Sequence, residues 1–209
     1  MENKTGPLLV VEDNLDILNL LDTTLRFKGY RVVTARNGTE ALDAIEKERP
    51  ALIVTDILMP QMDGFSLVHH LRLNPATRDI PVIFLSATYV TPEDKSFAVT
   101  LGVIQFIEKP VDFEEFLPAL EKLVTMDFTS TQSPLDDSQF YNEYRKRLET
   151  KLIQKNTQIT RAERLMQTLP EEEKAAFLIS LHQSMNERQE IQHLLDEIHT
   201  LTEDRKKSE

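Results

Sequence analysis

Five short apolar runs punctuate the first half of the chain: Leu8 to Val11, Val32 to Ala35, Leu52 to Thr55, Val82 to Leu85 and Val103 to Ile107. They are rich in Val, Ile and Leu and do not alternate with polar residues, so each is suited to a strand buried on both faces. Between them, apolar residues recur at helical spacing, as in Ile17, Leu18, Leu21 and Leu25, then Ala41, Leu42 and Ile45, then Phe65, Val68 and Leu71. Strands alternating with helices, joined by right-handed crossovers, predict an α/β fold: a five-stranded parallel, doubly wound sheet covered on both faces. Such a sheet binds its ligand at the carboxyl ends of its strands. Polar residues follow four of the runs at that edge: Glu12 and Asp13, Asp56, Ser86 and Lys109.

The pattern changes after Val124. Residues 125–138, TMDFTSTQSPLDDS, are polar and read as a linker. From 139 onward the apolar spacing becomes heptad-like: Tyr141, Leu148, Leu152, Ile159, Ala162, Met166 and Leu169, with Lys155 at an otherwise apolar position. TLPEEE then predicts a helix start, with Thr168 as N-cap and Pro170 in the first turn. A second stripe follows, Leu178, Leu181, Met185, Ile191, Leu195 and Ile198, interrupted by Arg188. No glycine lies beyond Gly102, which favours two long helices. The expected organisation is an α/β domain over 1–124, a linker over 125–138 and an all-α helical hairpin or coiled-coil extension over 139–209.

At 209 residues the chain has room for one domain and a smaller second unit. Its net charge of −11 argues against a general attraction to nucleic-acid backbones. The absence of cysteine removes disulfide scaffolds and thiolate sites. With no apolar run approaching about 18 residues, neither secretion nor membrane spanning is supported, and a cytoplasmic location is the expectation.

The strand-end residues carry the candidate chemistry. Glu12, Asp13 and Asp56 can converge, and their mutual repulsion is relieved if a hard cation sits among them; oxygen ligands of this kind suit Mg²⁺ better than Zn²⁺. Lys109 adds a positive charge and Ser86 a hydroxyl, which together supply the acceptor and charge neutralisation that phosphoryl transfer requires. Singly, each residue has a plainer reading. Asp56 alone is a turn or cap aspartate. Glu12 and Asp13 alone are first-turn acids beside the better cap, Asn14, Ser86 is a turn hydroxyl, and Phe106 is core packing.

Four motifs occurring together decide between these readings: VVEDN at 10–14, TDILMPQMDG at 55–64, LSAT at 85–88 and EKP at 108–110. In order and spacing, residues 7–124 resemble the receiver domain of bacterial two-component response regulators, a flavodoxin-like fold. The resemblance implies that Asp56 accepts a phosphoryl group from a sensor histidine kinase or phosphotransfer protein. Asp13 and Asp56 would ligate Mg²⁺ directly, Glu12 through water, and the Leu58 carbonyl would be a further ligand. Ser86 and Lys109 would hold phosphoryl oxygens, Phe106 would occupy an aromatic switch position, and the Lys109–Pro110 peptide would be cis. Leu58 and Thr88 would tune dephosphorylation. A protein of this kind is a signalling switch, not an enzyme acting on other substrates. The chain departs from the family at Val103 to Gln105, usually small and acidic, and by about one extra residue between Ser86 and Lys109, which puts in question the partners of that face.

The helical segment is not covered by the resemblance. Residues 125–209 hold 12 basic and 16 acidic side chains, and no recognition helix is visible, which argues against DNA binding. A hairpin that forms a homodimer or contacts another protein is the plainer expectation. The alternatives are a phosphatase module using Glu187 or Gln192 to position water, a phosphotransfer histidine at His182, and a nucleic-acid-binding output, RNA included. His69, His70, His182, His193 and His199 show no metal-ligand spacing and read as surface residues.

Overall fold

Residues 6–86, 92–125, 134–168 and 171–206 are described by the computed structural model. Five strands, β1 (Leu8–Val11), β2 (Val32–Ala35), β3 (Leu52–Asp56), β4 (Val82–Ser86) and β5 (Gln105–Glu108), form one parallel sheet in the order β2-β1-β3-β4-β5. The intervening helices are α1 (Leu15–Phe27), α2 (Gly38–Lys47), α3 (Gly64–Leu73), α4 (Pro92–Thr100) and α5 (Phe113–Thr125). Two long helices follow, α6 (Asp137–Met166) and α7 (Glu171–Lys206). The chain divides into two compact units, Met1–Leu135 and Asp136–Glu209.

In the first unit, the continuous apolar runs fill both faces of the sheet. Leu8, Val10, Leu52, Val54, Ile83 and Leu85 pack with Leu18, Leu21 and Leu25 of α1 and Phe116, Leu120 and Leu123 of α5. The alternate residues belong to the opposite face, where Phe84 meets Phe65 of α3 edge-on at 5.1 Å between ring centroids. Asn14 caps α1, its side chain accepting from the N–H groups of Asp16 and Ile17. Asn37 and Asp63 cap α2 and α3 in the same way.

The last strand differs from the run that predicted it. It starts at Gln105, not Val103, because α4 ends in a Schellman motif: Gly102, at φ 75°, donates to Val99, and Val103 donates to Ala98. Val103 is thereby committed to closing the helix. Arg72 holds the same corner. Its buried guanidinium donates to the carbonyls of Leu101 and Gly102 at the carboxyl end of α4, and of Arg78 and Ile80 ahead of β4.

In the second unit, α6 and α7 form an antiparallel hairpin. Phe140, Tyr141, Tyr144, Leu148 and Ile159 are buried on α6, and Leu181, Ser184, Ile191, Leu194 and Ile198 on α7. Lys155, the exception in the α6 stripe, meets Glu187 across the seam at 2.6 Å. The α7 seam is displaced from the predicted stripe. Leu194 is buried and Leu195 only half-buried, Met185 is half-buried, and Leu178 is 39% exposed. A charged layer at 187 keeps the spacing 181, 184, 187, 191, 194 and 198 in phase with α6, leaving the neighbouring row outside. The Thr168 hydroxyl donates to the Leu165 carbonyl at the end of α6, and its predicted cap of α7 turns on residues outside the described ones. Leu169 and Pro170 lie outside the described residues.

Candidate functional site

The site is assembled by strand register. Val11 of β1 pairs with Thr55 of β3, so the next residues, Glu12 and Asp56, leave adjacent strands side by side. Asp56 pairs with Leu85, and Ser86 with Glu108, while the Lys109 N–H donates to the Ser86 carbonyl at 2.7 Å. Three strand ends therefore deliver Asp56, Ser86 and Lys109 to one edge with no help from the loops. Asp56 and Ser86 are the last residues of their strands, not the first of the following loops. Ala87 and Thr88, which complete the LSAT motif, lie outside the described residues.

Glu12, Asp13 and Asp56 each place a carboxylate oxygen within 4.8 Å of the others. Lys109 bridges two of them, with Nζ 2.7 Å from Glu12 Oε2 and 3.0 Å from Asp56 Oδ2. Glu12 is 1% exposed and Asp56 8%. One ammonium faces three carboxyl groups, and the consequence is visible in their acidities. Burial, then repulsion from Asp56, pushes Glu12 up to about 7 against the attraction of Lys109. Burial also raises Asp56 above the ordinary aspartate value, opposed by Lys109 and by the Ile57 N–H that donates to Oδ1 at 2.8 Å. Burial alone lowers Lys109, but the two carboxylates outweigh it and hold it above the usual lysine value. A compact, all-oxygen, over-charged trio fits a hard divalent cation.

Leu58 follows two residues beyond Asp56 and is half-buried. Phe106 lies in β5 with its ring 5.5 Å from Phe84, which continues through Phe65 to Phe97 of α4 at 5.4 Å. The Lys109–Pro110 peptide is cis. His69 is not on the surface: it is buried at 1% exposure on the inner side of α3, where the helix packs with Phe65, Leu67, Val68 and Leu71. Glu187 is engaged with Lys155, and the Gln192 amide donates to Asp196. His182 is exposed.

Gly64 was legible as part of a motif, but its task was not. A Cβ there would stand 2.4 Å from the Asp56 carbonyl oxygen and 3.1 Å from the Ile57 Cα. The bare glycine lets α3 begin directly against the strand end, and its N–H donates to the Ile57 carbonyl at 2.8 Å. Between them the chain turns tightly. Met62 donates to Pro60 across Gln61, whose φ of 68° is the left-handed conformation of a γ-turn. The MDG triplet was the available signal, since a glycine immediately after an N-cap marks a helix start under close approach.

Acidic strand ends answered by a lysine, on a parallel sheet of order 2-1-3-4-5, define a flavodoxin-like signalling domain. The chain belongs to the response regulator receiver domain family, which residues 8–121 match. It is 37% identical over 115 residues to a probable transcriptional regulator, ycf27, of Porphyra purpurea, covering 55% of this chain and 46% of that one. It is 34% identical over 132 residues to the transcriptional regulatory protein GlrR of Escherichia coli, covering 63% of this chain and 29% of that protein. The chain thus spans half or less of these curated relatives. Among solved structures, a putative response regulator from Chloroflexus aurantiacus matches with a TM-score of 0.55 at 29% identity, over 59% of this chain and 100% of that one. The chemotaxis protein CheY4 of Vibrio cholerae matches with a TM-score of 0.53 at 32% identity, over 56% and 98%. The first unit is a receiver domain, consistent with two-component signalling. Among the described residues, no helix is long and apolar enough to cross a membrane.

Proposed function

We propose that Asp56 accepts a phosphoryl group from the phosphohistidine of a partner kinase or phosphotransfer protein, and that the resulting switch acts through the helical hairpin. The observation that carries this reading is the cluster itself: three carboxylate oxygens within 4.8 Å and Lys109 at 3.0 Å from Asp56. A carboxylate oxygen of Asp56 forms the new P–O bond while the P–N bond to the donor imidazole breaks, its electron pair staying on nitrogen. Lys109 pairs with one phosphoryl oxygen, and the Ser86 hydroxyl donates to another. Glu12, Asp13, Asp56 and the Leu58 carbonyl would hold Mg²⁺, which supplies further charge neutralisation when bound. Phosphorylation then biases a two-state equilibrium involving Ser86 and Phe106, with the aromatic series Phe84, Phe65 and Phe97 available to carry it toward α4. On this reading the chain promotes only its own phosphorylation and dephosphorylation.

The hairpin serves as a dimerisation or protein-interaction module. The ion pair of Glu187 and the hydrogen bond of Gln192 disfavour a water-positioning role for either. A transcriptional output has one specific support, the regulators named among the relatives; those matches cover the receiver and leave most of the hairpin unmatched. Incubating the full chain with Mg²⁺ and acetyl phosphate tests the primary step. Intact mass should rise by one phosphoryl group in the native chain and stay unchanged in Asp56→Asn. Labelling that persists in that variant would assign the acceptor elsewhere.

A further inference from the structure

Leu58, whose carbonyl belongs to the proposed Mg²⁺ site, lies in the loop between β3 and α3. The Gly64 N–H donates to the Ile57 carbonyl at 2.8 Å, which closes residues 58–63 into a loop pinned at its base. Among the described residues, the backbone of 58–62 makes one hydrogen bond to another element. In it the N–H of Gly38, the first residue of α2, donates to the Met62 carbonyl at 2.9 Å. The Met62 side chain reinforces that tie. A Cβ on Gly38 would stand 2.5 Å from Met62 Cγ and 2.8 Å from its Sδ, so the thioether occupies the space a side chain would take. Gly38 lacks the positive φ that Gly29 and Gly102 show, so Met62, not backbone conformation, accounts for the glycine.

The start of α2 is itself fixed beside the acidic cluster. Asn37 Oδ1 accepts from the Glu40 N–H at 2.9 Å, and Glu40 Oε2 accepts in return from the Arg36 N–H at 2.8 Å. One residue back, the Ala35 carbonyl accepts from the Glu12 N–H at 3.1 Å. Residues 35–38 therefore bind the acidic end of β1 at Ala35 and the β3–α3 loop at Gly38. Mg²⁺ demands near-octahedral ligands at about 2.0–2.1 Å, so a carbonyl from a loop without regular structure must be held in place relative to the carboxylates. Met59 of the same loop is buried, whereas Met62 is half-buried and reaches α2. We propose that Met62 is a positioning residue for the cation site: seated on Gly38, it fixes the loop that carries the Leu58 carbonyl relative to Glu12, Asp13 and Asp56. This rests on the reading of those residues as a Mg²⁺ site.

Isothermal titration of the full chain with Mg²⁺ at about pH 8, where Glu12 is ionised, tests it. Met62→Ala should raise the dissociation constant about 10-fold, the loss typical when a residue orienting a metal ligand is removed. Met62→Leu keeps an apolar side chain of similar volume and should stay within about threefold of the native chain. Gly38→Ala leaves the methionine in the sequence but displaces it, and should weaken binding as Met62→Ala does. Adding Met62→Ala to Gly38→Ala removes the collision and should cost nothing further. In labelling by acetyl phosphate, the Mg²⁺ midpoint should rise by the same factor in Met62→Ala, while the rate at saturating Mg²⁺ stays within about twofold of native. A lower saturating rate with an unmoved midpoint would reduce Met62 to fold stability and overturn the proposal. A loss of affinity shared in full by Met62→Leu would overturn it too. A native chain that binds no Mg²⁺ rejects the cation site and the positioning role together, whereas native affinity in Met62→Ala rejects the positioning role alone.

Discussion

Lys109 and Lys155 are both held by carboxylates in largely buried surroundings, and the difference between them separates a site from a seam. Lys155 meets Glu187 at 2.6 Å and closes a layer between two helices. Lys109 meets Glu12 and Asp56 at 2.7 and 3.0 Å with Asp13 close by, so its cluster retains excess negative charge. Burial makes that excess costly, as the elevated Glu12 shows. Structural charges tend to be neutralised locally, and a buried excess marks a place where something else is meant to bind. The largest effect should come from removing the acceptor. Asp56→Asn is expected to abolish phosphorylation by acetyl phosphate, more than about 100-fold by mass spectrometry, whereas Glu187→Gln should leave it unchanged.

The next effect concerns how the excess charge is positioned. Gly64→Ala drives a Cβ toward a backbone carbonyl that cannot move without displacing Asp56. The expected cost is about 2–3 kcal/mol in urea unfolding, with slower phosphorylation of the folded fraction. Ala at Gly29, where φ is 87° but nothing lies within 4 Å, separates backbone strain from collision and should leave the phosphorylation rate intact.

That contrast bears on what could be read before the structure. The sheet, its edge and the site trio were legible because apolar runs set strand position, and parallel pairing then brings strand ends together whatever their sequence separation. Asn14 was identifiable as the α1 cap on local chemistry alone. Arg72 and His69 were not legible. A charged or polar residue within an amphipathic helix gives no sign of whether carbonyls from distant turns will converge on it. The beginning of β5 was misplaced because Val103 and Ile104 are strand formers by composition, but the Gly102 cap claims Val103 first. The α7 stripe shifted for a related reason: apolar periodicity locates a face only to within one neighbouring row, and the Lys155–Glu187 layer decides between them.

Acidity offers a milder test of the excess. Glu12 is near 7 in the folded, cation-free protein and near 4.5 in the unfolded chain, so between those values the folded state binds more protons. Stability should therefore fall as pH rises through that window. Mg²⁺ favours the ionised trio, so its stabilising effect in thermal melts should be small near about pH 5 and larger near about pH 8. Asp56→Asn removes one source of repulsion and should flatten both trends. A Mg²⁺ effect independent of pH would contradict the trio as its site.

The smallest effect belongs to the interhelical pair, Lys155 and Glu187. Lys155→Met alone leaves Glu187 partly buried without its cation, for an expected cost of about 1–2 kcal/mol after allowing for its exposure. Adding Glu187→Leu removes the orphaned charge and places two apolar side chains in the layer, so the double variant should return close to native stability. Urea unfolding of the two singles and the double completes the cycle. The double variant should also lose its phase marker, because a layer of Met and Leu no longer distinguishes the used row of α7 from the adjacent one. Sharper unfolding of the native chain than of an equally stable double variant would then identify the pair as a register device. Identical cooperativity would reduce it to a tolerated polar contact and leave the excess charge around Lys109 as the only buried charge in this comparison with a task.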